Sequence, residues 1–132
     1  MPYGKLNLIT GGVVIFLAAF GGTALGFTMD AHFTSGYYQL PYARMLMKAA
    51  HSHGMPFALF NLIVGVMVDR LALGEGGKKW LSRLAILALL MPVGLLLRGL
   101  TGGAMTFAPV VLLGELCFLA SAALIIKGAL KA

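Results

Sequence analysis

Two histidines, His51 and His53, lie in the stretch AHSHGMPF from Ala50 to Phe57, inside an otherwise apolar run. A polar side chain in hydrocarbon costs several kcal/mol unless it is paired, so such residues mark sites more often than filler. Imidazole can hold a proton, a haem iron or a copper ion. Residues two apart on a helix point about 200° from each other. If Gly54, Ala58, Asn61 and Gly65 mark the inward line, His51 lies about 60° to one side and His53 about 100° to the other. A regular helix would therefore give the two histidines different partners. Pro56, however, removes the bond to the Ser52 carbonyl, and Gly54 loosens the same turn. An unwound Ser52–Met55 segment would bring both rings into one cavity.

The ligand chemistry leaves several readings open. Met47, His51 and Met55 recur every four residues on one stripe, and thioether with imidazole suits Cu(I). Methionine also packs well in any apolar core, and the chain has 8 of them. Haem b would take a neutral histidine as axial ligand, with a second from another helix. That second ligand would be His32, the third histidine, or a residue of a second protomer. A site without cofactor would have His51 hydrogen-bonding Glu115 or Tyr38. No G-x-S-x-G, H-E-x-x-H or phosphate-loop pattern is present.

The elements that carry these residues read as membrane spans. Apolar residues make up 60% of the chain and charged residues 11%. Soluble proteins carry about a quarter charged residues. Four stretches are expected to cross the bilayer: 6–28, 42–68, 80–100 and 105–126. Each reaches the length of about 20 residues that a helical crossing needs. Residues 1–132 then form a single membrane domain. The first span lacks a small-x-small cleavage site and is expected to stay in the protein. Cys117 is the only cysteine, so no intrachain disulfide forms. Ala18, Gly22 and Gly26 recur every four positions in span one and predict a close packing seam.

The net charge of +6 sorts by side rather than into a nucleic-acid surface. Lys5, Arg70, Lys78, Lys79, Arg83, Lys127 and Lys131 share one side of a four-span chain, and Arg44 and Arg98 lie toward the other. By the positive-inside rule both termini are cytoplasmic. Tyr37, Tyr38 and Tyr42 suit the outer headgroup region, and Pro41 the first turn of span two. GEGGKKW and Thr101-Gly102-Gly103 read as tight turns. By depth, Asp30, His32, His51, His53, Arg98 and Glu115 all fall at the midplane or outward, which predicts one shared outward cavity. Arg98 and Glu115 are its natural ion pair.

Ala50-His51-Ser52-His53 and Asn61-Leu62-Ile63-Val64-Gly65 resemble the two halves of an A-H-A-H-x-N-x-x-G stretch. That stretch belongs to short bacterial four-span membrane proteins that are themselves similar to a fragment of the haem–copper oxidase catalytic subunit. The small-residue first span, with Gly22 and Gly26, is also similar. The two halves stand further apart here, with eight positions from His53 to Asn61. The resemblance implies a haem- or metal-related role for His51 and His53. It does not imply oxidase activity, which needs more histidines than this chain has.

The expected protein is an all-α integral membrane four-helix up-down bundle, multi-pass in a cell inner membrane, with no nucleic-acid partner. It binds haem b through His51, His53 and His32, or copper through His51, His53, Met47 and Met55. Glu115, Arg98, Asn61 and Asp30 surround that redox-linked site. The alternatives are a proton- or cation-coupled transporter centred on Glu115, or a non-catalytic subunit of a larger membrane complex. A homo-oligomer or a membrane-complex partner is expected beside the lipid bilayer.

Overall fold

A computed structural model describes residues 3–32 and 41–132, with side chains placed for residues 3–23 and 42–132. Among the described residues the protein is all-helical: α1 (Lys5–His32), α2 (Pro41–Met67), α3 (Glu75–Leu87), α4 (Leu90–Leu100) and α5 (Ala108–Ala129). Short 3-10 turns, Val68–Arg70 and Met105–Phe107, follow α2 and precede α5. Four helical stretches are long and apolar enough to cross a membrane, Lys5–Thr23, Tyr42–Arg70, Glu75–Leu100 and Met105–Ala129. Helix is the form an apolar run adopts in apolar surroundings, because it bonds every N–H and C=O within one segment. Pro109 sits in the first turn of α5, where its missing donor costs nothing.

The third span departs from its expected form. It begins at Glu75 rather than at residue 80, and it is two helices rather than one. Gly74 caps α3 in an extended conformation, and Glu75 places its charge in the first turn, where the helix dipole favours an anion. Gly76 and Gly77 are thereby taken into the helix instead of the turn. The break at Ala88–Leu89 comes from Pro92, which cannot donate to the Ala88 carbonyl. Bonds from Leu89 to Ile86 and from Met91 to Ala88, both 3.1 Å, carry the chain past it in a tighter turn. Pro56 has no such effect. α2 runs helical from Pro41 to Met67, with Phe57 and Ala58 buried beside the proline. The unwound Ser52–Met55 segment is not formed.

α2 and the α3–α4 pair occupy the middle of the bundle. α1 packs mainly on α2, and α5 on α3 and α4. Glycine sets these distances. A Cβ on Gly4 would run into the Gly65 carbonyl, and one on Gly114 into the backbone of Met91. At the last turn of α4, Gly102 and Gly103 take φ of 70° and 93°. Those left-handed values are open to glycine. Gly103 N–H returns to the Arg98 carbonyl at 2.7 Å, and the chain reverses into α5. Phe118 of α5 lies against Phe57 and Phe60 of α2, with ring centroids 4.8 Å and 5.0 Å apart.

One buried polar network ties three helices together. Asn7 Nδ2 donates to Asn61 Oδ1 at 2.9 Å and to the Ser82 carbonyl at 3.0 Å. Asn61 Nδ2 donates to the Ala85 carbonyl at 2.7 Å and the Phe57 carbonyl at 3.1 Å. Ser82 Oγ donates to Asn7 Oδ1. Asn7 and Asn61 are fully buried, and each uses both ends of its amide. Replacing Asn61 by Ala strands the Ala85 carbonyl and one Asn7 donor. The expected cost is about 1–2 kcal/mol, seen as a lower thermal midpoint in detergent. Gly114→Val, which forces α4 and α5 apart, is expected to cost about 1–3 kcal/mol in the same assay.

Candidate functional site

A groove of about 290 Å³ opens between α1, α2 and α4. Small residues leave part of it unfilled, beside the larger Val14 and Leu17 of α1. From α1 come Ala18, Gly21 and Gly22, and from α2 Met47, Ala50 and Gly54. Leu89, Pro92, Val93 and Leu96 close the third side. The Pro92 kink turns this stretch of the third span, and the missing side chains of Gly21, Gly22 and Gly54 leave the volume. Ala18 and Gly22 therefore do more than form a packing seam. The tightest α1–α2 backbone contacts lie lower, where Gly4 meets Gly65 and Gly11 meets Ala58 and Leu62.

Among the described residues, His51 is the one titratable side chain on this groove. Its imidazole lies against Gly22: an added Cβ there would meet Cε1 and come within 2.9 Å of Nε2. Only glycine at position 22 admits the ring in this pose. Among the described residues no hydrogen bond engages His51, so its ring nitrogens are available to a ligand. Met47 lines the same groove and is buried, whereas Met55 does not line it.

The other expected site residues are dispersed. His53 points away from His51, as a regular helix requires. Its Nδ1–H donates to the Ala49 carbonyl at 2.8 Å. Its ring lies 6.4 Å from that of Phe57. Asn61 belongs to the buried network with Asn7 and Ser82, not to the groove. Arg98 and Glu115 form no ion pair. Arg98 Nη2 donates to the Tyr42 hydroxyl at 2.7 Å and approaches Met105 Sδ at 3.3 Å, while Nε donates to the Ala104 carbonyl at 3.3 Å. Its guanidinium also lies over the Tyr42 ring, 5.8 Å from the centroid, a cation–π placement. Arg98 is near the end of α4, and Glu115 is exposed on α5. Helical rise puts Glu115 about 10 Å along α5 from its start. The side chains of Asp30 and His32 lie outside the described residues. Helical rise sets the His32 position about 15 Å along α1 from Gly22.

The described polar residues thus do not share one cavity, and no three His, Cys, Asp or Glu side chains among them converge on a point. What remains is one imidazole on an apolar groove. Sequence reasoning missed Pro92, Leu89, Val93 and Leu96 as its third wall. A proline in mid-span was the available signal.

No known protein family, curated protein or solved structure matches this chain. The groove itself is open to test. Gly22→Val is expected to push the His51 ring from its pose and fill the groove while leaving α1 helical. Diethylpyrocarbonate modification of His51, read by mass spectrometry, should change at least several-fold in rate. Helicity by circular dichroism should not change.

Proposed function

We propose that this chain is a multi-pass protein of a cell inner membrane that holds a lipid-soluble cofactor against His51, with haem b the leading candidate and a redox-linked role. Both termini are cytoplasmic in this reading, because the basic residues gather at their end of the bundle. The observation that carries it is a single imidazole, free of hydrogen bonds among the described residues, seated on glycine in an otherwise apolar groove.

The donor set suits haem in a particular way. The walls are aliphatic, and His51 would be the residue that holds the iron. His53 faces the other side of α2, and His32 stands about three turns along α1 from Gly22. In this reading His51 alone would hold the iron within one chain. Haem bound here supplies one-electron transfer or the binding of a small diatomic gas. The protein's own part is to present a ring nitrogen, keep the ring close through Gly22, and exclude water with Leu89, Val93 and Leu96. Copper is the lesser fit, since only Met47 joins His51 on the groove as a soft donor. The Glu115-centred transporter draws no support from this groove, because Glu115 does not line it.

A reduced-minus-oxidised spectrum of the detergent-purified protein tests the proposal. Sharp visible bands are expected, together with a carbon monoxide difference spectrum that reports an open axial position. His51→Ala should abolish both, and His53→Ala should leave both within about 20% of the wild-type amplitude, since an imidazole off the groove cannot act as axial ligand. A flat spectrum at good protein yield removes haem. Equal loss in both histidine variants overturns the assignment to His51.

A further inference from the structure

Glu115 is exposed on α5, and among the described residues no hydrogen bond or ion pair engages it. Its neighbour Gly114 abuts Met91, and the ring of Phe118, one turn further on, touches those of Phe57 and Phe60 of α2. Glu115 is therefore level with the middle of α2, near Gly54. It is exposed there, among the exposed Leu112, Leu119 and Ile126. These three follow at intervals of seven, with Glu115 three residues after the first, so all four share one stripe of α5. With the bundle in a bilayer, this places a carboxyl at mid-depth on the outside of the protein. Lys and Arg side chains are long enough to snorkel from such a level, but a glutamate is not.

A complementary group lies at the same level on α2, whose Phe57 and Phe60 rings touch Phe118 of α5. His53 stands one turn before Phe57, as Glu115 stands one turn before Phe118, and the two phenylalanine rings touch. His53 is half-buried, and its Nδ1–H is committed to the Ala49 carbonyl, which leaves Nε2 without a partner among the described residues. Within one copy no hydrogen bond joins His53 and Glu115. His53 and Glu115 each stand one turn before the touching Phe57 and Phe118 rings, a placement in which one can accept from or donate to the other across two copies. A two-fold axis parallel to the helices brings each group opposite its counterpart in a second copy.

We propose that the α5 face bearing Glu115 is the interface with a second copy of this chain, closed by two reciprocal Glu115–His53 hydrogen bonds. Each pair holds one proton, either on the carboxyl facing the neutral Nε2 or on Nε2 facing the carboxylate. Both arrangements are neutral overall, which relieves the cost of a lone charge at mid-depth. Leu112, Leu119 and Ile126 supply the apolar contact around the pairs, and the polar pair sets their register, as one buried polar residue does in a coiled coil. The dimer does not depend on what occupies the groove, which lies between α1, α2 and α4.

The test is association of the full chain in phosphatidylcholine vesicles, followed by energy transfer between labelled copies as the lipid-to-protein ratio rises. Glu115→Leu should weaken association about ten-fold, and Glu115→Gln, which keeps a hydrogen-bonding side chain, should restore most of it. Oxidative cross-linking should join copies through Leu119→Cys and not through Phe16→Cys, since Phe16 is exposed on α1. Circular dichroism of each variant checks that the bundle is formed. A monomer at every lipid ratio, unchanged association in Glu115→Leu, or cross-linking through position 16 in place of 119 overturns the proposal. If the spectroscopic test of His51 fails while these results hold, the cofactor is wrong and the dimer stands.

Discussion

The amide of Asn61 is the tie on which the rest of the bundle hangs. It accepts from Asn7 on α1 and donates to the Ala85 carbonyl on α3, joining the three helices at one level. In apolar surroundings such a network has no competing water, so a relative slide of any helix would strand several donors at once. The neighbouring glycine contacts depend on that register. Gly4 meets the Gly65 carbonyl only when α1 and α2 lie at one fixed height. Around the network α1 and α2 are close-packed at Gly4 and Gly11, and further out α2 meets α4 closely again at Gly99.

The groove lies outward of that network, where small residues of α1 and α2 face the third span. α1 stays close to α2 where Gly4 and Gly11 touch it, and at Gly21 and Gly22 there are no side chains to fill the space beside them. On the opposite wall Pro92 interrupts the third span and turns Val93 and Leu96 toward the opening. The same lack of bulk that makes the volume admits the His51 ring. A site of this kind needs no dedicated loop. It arises where small side chains on two helices face the residues around a break in a third.

Much of this architecture was legible in the residues. Four long apolar runs with almost no internal charge have one low-energy solution, and the expected bounds of span two lie within a residue of its helix. Turn chemistry was equally local: Gly102 and Gly103 take left-handed conformations that glycine alone adopts freely. The wide angular separation of His51 and His53 also followed from helical geometry once α2 stayed regular through Pro56. The weight of the two prolines was not legible. Pro56 lies in a helix packed around it and leaves no break, whereas Pro92 splits its span. Both present the same missing donor to a local reading.

The sequence by itself determined the all-helical class, the number and approximate extent of its long apolar helices, and which residues are polar within them. Those properties depend on composition and on interactions within a turn or two of helix. Pairing was decided only by the tertiary structure. Arg98 turned to Tyr42 and Met105, Asn61 to Asn7 and Ala85, and Glu115 to the outside of α5. Each partner was set by how far one helix slid and rotated against the next. A slide of one turn is about 5 Å, enough to replace one partner by another while leaving every local pattern unchanged. That displacement is settled by glycine contacts and buried amides far apart in the chain, and no window of sequence contains both sides of either.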